Sequence, residues 1–212
     1  MDMGSGKLFL NLLKRKSDVI KDMILFVKNV KQHWNRDIKY IRCNNSGENN
    51  KLKRVFDKKF PNIIFEFTAR DTPQQNGRVE RAIATVWSKV RSNMNAAGIE
   101  GHLKGKLWGE FFSTAVNLFN ISVTIPGDKC KEEIWGGELP RYVRFLKPIG
   151  YVGVIKNTNK IKSKIEARGS MAILVGYSTQ HADEVYRMLN LNTNKVVITR
   201  DVKWLNVIYK KI

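Results

Sequence analysis

The first 122 residues contain two kinds of hydrophobic pattern, which follow one another in turn along the chain. Short apolar or alternating runs predict strands over 8–13, 38–43 and 62–68. Apolar residues three and four positions apart predict helices over 19–34, 78–97 and 107–122, and a short basic helix is predicted over 48–60. Because strands and helices alternate, this region is predicted to form an α/β domain.

Several residues mark where the predicted helices begin and end. Ser17 or Asp18 is predicted to cap the first helix, and Pro61 to stop the second. The segment 69–77, with Pro73 and Gly77, is predicted to be a loop. The predicted apolar face of the third helix consists of Val79, Ile83, Val86, Val90 and Met94. That of the fourth helix consists of Trp108, Phe111, Phe112, Ala115, Leu118 and Phe119.

The pattern changes after about residue 125, where short runs typical of strands replace the helices. These runs predict strands over 149–155, 171–177, 185–191 and 196–204, with a hairpin turn at 192–194. Short strands joined by tight turns are typical of a small β-barrel. We therefore predict three regions: an α/β core over 1–125, a linker over 126–147 and a small barrel over 148–206.

The chain is strongly basic. Its 212 residues include 38 Lys and Arg against 19 Asp and Glu, which gives a formal net charge of +19. The excess is spread evenly, since 1–100 carries 20 basic and 10 acidic residues and 101–212 carries 18 and 9. A polyanionic partner is therefore expected for both halves, and nucleic acid is the commonest one. A generally basic surface without a specific partner is the alternative.

Other classes of site and location receive no support from the sequence. Two cysteines without a paired spacing and three scattered histidines indicate neither a disulfide framework nor a zinc site. No apolar run reaches the roughly 20 residues that a membrane-spanning helix needs. The first residues also lack the pattern of a secretory signal. We expect no membrane partner and an intracellular location, in the nucleus or the cytoplasm.

Two motifs point to a particular chemistry. Residues 41–48 read I-R-C-N-N-S-G-E, and residues 72–81 read T-P-Q-Q-N-G-R-V-E-R. They resemble the I-R-x-D-N-x-G-E and T-P-Q-Q-N-G-x-x-E-R blocks in the integrase core of Copia-type (Pseudoviridae-like) retrotransposon Gag-Pol polyproteins. Residues 176–202 also resemble the G-Y … Y-R … V … R-D-V pattern of the SH3-like barrel that follows that core. The resemblance covers about 8–204. It implies a ribonuclease-H-like core, a mixed sheet with helices whose first strand is missing, and then a small SH3-like β-barrel.

The resemblance identifies Asn44 and Glu80 as remnants of a catalytic site. In the family, an Asp in the first motif and the Glu of the second are two of three carboxylates that bind Mg²⁺ or Mn²⁺. The family's thirty-five intervening residues are kept here, but Asn44 stands in place of the Asp. Joining DNA strands on two divalent cations needs anionic oxygen ligands that hold the metals ~3.5–4 Å apart. Glu80 is therefore expected to be a weak, remnant metal ligand, and no metal is expected to bind productively.

The third carboxylate of the family lies on a strand before residues 8–13. The chain begins too late to contain that strand, so the resemblance implies an N-terminally truncated and degenerate integrase with an unpaired sheet edge. For this reason Asn44→Asp alone is not expected to restore strand transfer.

Nucleic-acid binding does not require the carboxylates. The resemblance implies that the loop before the third helix and that helix contact DNA, and a basic tract in the second half looks like a phosphate-contacting loop. The residues expected to bind nucleic acid are Arg70, Gln74, Gln75, Asn76, Arg78, Arg81, Lys89, Lys160, Lys162 and Lys164. Contacts of this kind to phosphates are not sequence-specific and weaken with salt. DNA is the expected partner, with RNA as the alternative, and integrase-like homo-oligomers are a further expectation.

Each of these features also has an ordinary structural interpretation. Glu80 is compatible with a first-turn acid that the helix dipole favours, and Asn44 with a turn before a helix. The tract 160–164 is equally compatible with a solvated linker. The order and spacing of the motifs favour the integrase interpretation for Asn44 and Glu80.

We predict a nucleic-acid-binding remnant of a retrotransposon integrase, related to DNA integration but without strand-transfer activity. The alternative is an active metal-dependent polynucleotidyl transferase or nuclease that another chain completes. A relic without a selected function is the third hypothesis.

Overall fold

The computed structural model describes residues 1–69, 76–157, 165, 167–181 and 183–209. They form two compact units, one of residues 10–84 and one that combines residues 1–9 with 85–212. No helix in these described ranges is both long enough and apolar enough to cross a membrane.

The unit of residues 10–84 combines helices with a two-stranded parallel sheet. Its elements are α1 (Val19–Trp34), β1 (Tyr40–Cys43), α2 (Gly47–Lys59), β2 (Ile64–Phe67) and the first turns of α3 (Gly77–Ala96). β1 pairs with β2 in parallel, with Tyr40 beside Ile64 and Cys43 beside Phe67. The predicted α/β order is therefore present from residue 19 onward, with shorter strands than expected.

One apolar cluster stabilises this unit. Val27 of α1, Leu52 and Phe56 of α2, and Ile63 are buried in it, and Phe56 has no exposed surface. The ring of Phe56 meets that of Phe65 edge-on at a centroid distance of 5.6 Å. Leu52 and Phe56 are four residues apart and so lie on one side of α2. This apolar side explains how a helix with a strongly basic sequence packs against the strands.

The other unit contains the rest of α3 and a five-stranded antiparallel sheet. Its further elements are α4 (Gly101–Ile121), α5 (Lys131–Gly136), β3 (Tyr151–Lys156), β4 (Gly169–Tyr177), β5 (Tyr186–Asn190), β6 (Lys195–Thr199) and β7 (Val202–Ile208). The strand order is β6-β5-β4-β3-β7. The hairpin turn predicted at 192–194 joins β5 to β6, and Asn194 adopts the left-handed conformation at φ 53°. The run predicted as a single strand over 196–204 is divided between β6 and β7.

The sheet has its own core, to which two tyrosines attach the preceding segment. Ala172, Leu174 and Met188 are fully buried there. The Tyr177 hydroxyl donates a hydrogen bond to the Lys147 carbonyl at 2.5 Å, and the Tyr186 hydroxyl donates one to the Phe145 carbonyl. Burial raises the pKa of Tyr177 to about 12, so this hydroxyl remains a neutral donor near neutral pH.

Helix α4 packs closely against β4. The buried Thr114 hydroxyl donates a hydrogen bond to the Val175 carbonyl at 2.9 Å. At Gly176 an added Cβ would lie 2.3 Å from the Thr114 Oγ1 atom, so the backbone there has no space for a side chain. Arg187 of β5 donates two hydrogen bonds to the Glu110 carboxylate of α4. These contacts place α4 and the sheet in one unit.

The strand predicted over 8–13 is wrong, because these residues have no regular secondary structure. Leu8 is buried, whereas Leu12 and Leu13 are 51% and 41% exposed. The Asn120 side chain takes the place of a neighbouring strand at Leu8. Its Oδ1 accepts a hydrogen bond from the Leu8 N–H at 2.9 Å, and its Nδ2 donates one to the Leu8 carbonyl at 2.8 Å. The Asn120 side chain satisfies the backbone hydrogen bonds of one residue, so it cannot continue a ladder of strand pairing along residues 8–13.

We expect Asn120→Ala to lower the free energy of unfolding by about 2–3 kcal/mol, because each buried polar group left unsatisfied costs about 1–3 kcal/mol. Urea unfolding measures the effect. Asn117→Ala, at a half-buried position one turn earlier on α4, is the matched control and should cost less than about 1 kcal/mol. Equal losses in the two variants would show that the Leu8 contacts do not contribute.

Two residues predicted on apolar helix faces are exposed instead. Ile83 is 42% exposed, and Ala82 occupies the buried position of α3 together with Val86 and Val90. Trp108 is 44% exposed and stacks on Trp87 at a centroid distance of 6.1 Å. On these two helices the predicted apolar face is therefore wider than the surface that is buried.

The segment predicted as a linker, 126–147, contains α5. The Glu133 carboxylate accepts a hydrogen bond from the Cys130 N–H at 2.8 Å and caps this helix, and Trp135 is 7% exposed. The segment is therefore partly packed. The predicted region boundaries at 125 and 147 stay predictions.

Candidate catalytic edge and nucleic-acid interface

The carboxyl ends of β1 and β2 lie side by side at one edge of the parallel pair. Cys43 and Phe67 are partners in the register, and the Thr68 N–H donates a hydrogen bond to the Cys43 carbonyl at 3.0 Å. Asn44 follows β1 directly. It therefore lies at the end of the strands where open α/β sheets bind their ligands.

The side chain of Asn44 is part of a local amide network. Its Oδ1 and its carbonyl oxygen both accept hydrogen bonds from Asn49 Nδ2, at 2.7 and 3.0 Å. Asn50 Nδ2 makes a corresponding bond to Asn45 Oδ1 at 2.8 Å. Ser46 then caps α2 by accepting a hydrogen bond from the Asn49 N–H. The turn between β1 and α2 is thus fixed by neutral groups.

Glu80 lies exposed in the first turn of α3, where its N–H donates a hydrogen bond to the Asn76 carbonyl at 3.0 Å. The helix dipole favours a carboxylate at this position. Burial raises the pKa of the Cys43 thiol, so this group next to Asn44 carries no charge near neutral pH. Within the described part of the chain, no group of three or more His, Cys, Asp or Glu side chains is placed to hold a metal ion. The catalytic and metal roles of Asn44 and Glu80 stay predictions.

Three of the residues predicted to bind nucleic acid lie on α3. Arg78 and Arg81 are exposed, and Lys89 is half-buried. Arg78 and Lys89 are eleven residues apart, about three turns of an α-helix, so they share one side of the helix. Asn76 precedes the helix. The others, which lie outside the described residues, are Arg70, Gln74, Gln75, Lys160, Lys162 and Lys164.

The structure also contains a basic cleft that sequence analysis missed. The cleft has a volume of about 550 Å³ and lies at the amino ends of β1 and β2. Its lining comes from Val27, Lys31 and the segments 36–40 and 59–64. No short motif spans these separate stretches, so only the fold brings them together. The lining includes four basic residues and one acidic residue, namely Lys31, Arg36, Lys39, Lys59 and Asp37.

The five-stranded sheet belongs to a known class of domain. Residues 150–210 match the family described as the retroviral polymerase SH3-like domain. The chain is also 30% identical, over 205 residues and 95% of its length, to the retrovirus-related Pol polyprotein from transposon TNT 1-94 of Nicotiana tabacum. The resemblance of this chain to the retrovirus-related Pol polyproteins of Copia-type retrotransposons, which the motifs predicted, is therefore confirmed. The matched stretch spans 15% of the length of the tobacco protein.

Among solved structures, the chain is similar to one from a simian T-cell lymphotropic virus intasome in complex with the PP2A regulatory subunit B56 gamma. The match covers 92% of this chain and 63% of the other, with 13% identity and a TM-score of 0.44. This overall likeness is weak.

Proposed function

We propose that this chain binds DNA through the phosphate backbone and does not itself join DNA strands. The observation that carries the proposal is Asn44, a neutral amide where the family has a catalytic Asp, in a chain with a net charge of +19. The unit around β1, β2 and the start of α3 is proposed to be ribonuclease-H-like. β1 and β2 pair in parallel, α2 follows β1 and precedes β2 along the chain, and Asn44 lies at the carboxyl ends of the strands. These features support the assignment.

The described residues do not fit a two-metal site. Mg²⁺ and Mn²⁺ prefer anionic oxygen ligands, and of the two family positions present in this chain Glu80 is a carboxylate whereas Asn44 is neutral. The Asn44 Oδ1 atom also accepts a hydrogen bond from Asn49. Loss of one negative ligand weakens metal binding and transition-state stabilisation by an amount on the order of several kcal/mol. We therefore propose no catalytic step through a metal.

Phosphate binding is compatible with the groups that remain. Arg78 and Arg81 lie in the first two turns of α3, where the helix dipole also favours anions. Guanidinium groups bind phosphate oxygens through two parallel hydrogen bonds. These contacts read no base edges, so the proposed binding is not sequence-specific.

The double substitution Arg78→Gln and Arg81→Gln tests this interface. Each lost phosphate contact lowers the slope of log K against log salt by about 0.9, so we expect a slope lower by about 1.8 and an affinity for duplex DNA about tenfold weaker. Fluorescence anisotropy with a labelled duplex measures both quantities. The matched control is Lys21→Gln with Lys28→Gln, at two exposed positions of α1, and should weaken binding less than about threefold. Equal effects of the two pairs would contradict a binding site on α3.

A further inference from the structure

The cleft at the amino ends of β1 and β2 has an apolar floor and a charged rim. Val27 and Ile63 are buried beneath it, with 9% and 8% of their surface exposed. The Ile64 N–H donates a hydrogen bond to the Lys39 carbonyl at 2.8 Å and joins the two strands at this end. Lys59, the last residue of α2, lies on the rim. The shape of the cleft is therefore set by backbone pairing and packed side chains.

The charges of the rim favour an anion. Lys31 and Asp37 pair with each other at 2.9 Å, which neutralises the acidic residue of the lining. Lys39 and Lys59 are exposed and take part in none of the ion pairs formed among the described residues. Two ammonium groups without carboxylate partners in one cleft are complementary to a phosphodiester.

Tyr40 adds an aromatic surface to the same cleft. It is 59% exposed, although it lies at the start of a paired strand, and its partner Ile64 is 53% exposed. Exposed aromatic rings beside basic side chains are the arrangement on which proteins stack the bases of single-stranded nucleic acids. In a duplex the bases are stacked on one another, so this contact favours an unpaired strand.

We propose that the cleft holds a nucleotide of a single-stranded nucleic acid, with the base on Tyr40 and the phosphates at Lys39 and Lys59. The inference rests on the proposed nucleic-acid binding and adds a second contact surface. This surface lies at the opposite ends of β1 and β2 from Asn44, so it is separate from the catalytic edge.

The test compares binding of a labelled oligothymidylate and of a duplex by fluorescence anisotropy. Lys39→Glu with Lys59→Glu should weaken binding of the single strand at least about tenfold and lower its salt slope by about 1.4. The matched control, Lys21→Glu with Lys28→Glu, changes the net charge equally and should weaken binding less than about threefold. Tyr40→Thr keeps a side chain that favours strands and should weaken single-strand binding about tenfold, with little effect on the duplex.

The outcomes separate this proposal from the function on which it rests. If the wild-type chain binds neither nucleic acid, both are overturned. If it binds but the cleft variants match the control, only the cleft proposal is overturned. Photo-crosslinking of the wild-type chain to an oligonucleotide with 5-iodouracil gives a readout that needs no variant. A crosslink at Tyr40 supports the proposal, and crosslinks confined to other segments contradict it.

Discussion

The affinity of this chain for duplex DNA should fall by about a thousandfold or more between about 50 and about 200 mM salt, as for a protein with six to ten phosphate contacts. The net charge of +19 is spread evenly over the two halves of the chain, so we expect Lys and Arg side chains of both halves to contact phosphates. Each Lys or Arg that contacts a phosphate releases bound counterions, and this release becomes less favourable as the salt concentration rises.

Anisotropy titrations at several salt concentrations measure the slope of log K against log salt. Duplexes of scrambled sequence are the control, and they should bind with the same affinity and slope because phosphate contacts carry no sequence information. A shallow slope together with a strong preference for one sequence would mean that base readout dominates.

Gly176→Ala should lower the free energy of unfolding by about 2–3 kcal/mol, near the upper end of the usual effect of overpacking a core. The added Cβ would lie 2.3 Å from Thr114 Oγ1, so α4 has to shift or the hydrogen bond to the Val175 carbonyl has to break. Gly105→Ala is the matched control, since a Cβ at this position of α4 meets no atom within 4 Å. It should be neutral or stabilising by up to about 1 kcal/mol, because Ala favours the helix.

A double-mutant cycle identifies the contact responsible. Thr114→Ala removes the Oγ1 atom and alone should cost about 1–2 kcal/mol through the lost buried hydrogen bond. In this background Gly176→Ala should cost less than about 1 kcal/mol, because the clash is absent. Urea unfolding of the four proteins gives the coupling energy. Additive losses would show that α4 does not pack on β4 in this way.

The elements that the sequence predicted correctly are those whose pattern is local. The basic helix predicted over 48–60 agrees with α2, whereas the packing of Leu52 and Phe56 with Ile63 is known only from the structure. The segment 8–13 shows the limit of this reasoning. Its apolar residues are typical of a strand, but Leu8 is bound by the side chain of Asn120, 112 residues away, and no local pattern indicates such a contact.

The candidate site divides in the same way. The motifs predict Asn44 and Glu80 as remnants of a site because the family's spacing is kept. The contact of Asn44 with Asn49 depends on how the turn folds before α2 and has no signature in the residue order. The basic cleft could not be predicted from the sequence either, because Lys39 and Lys59 come together only when β1 and α2 pack.

One measurement tests directly whether this chain binds DNA without joining or cutting it. A labelled duplex is incubated with the purified chain in Mg²⁺ or Mn²⁺ under conditions where anisotropy shows binding, and the DNA is then run on a denaturing gel. We expect bound DNA whose strands remain intact. Metal-dependent nicks or joined strands that disappear in Glu80→Ala would contradict it, because Glu80 would then work in a complete catalytic site.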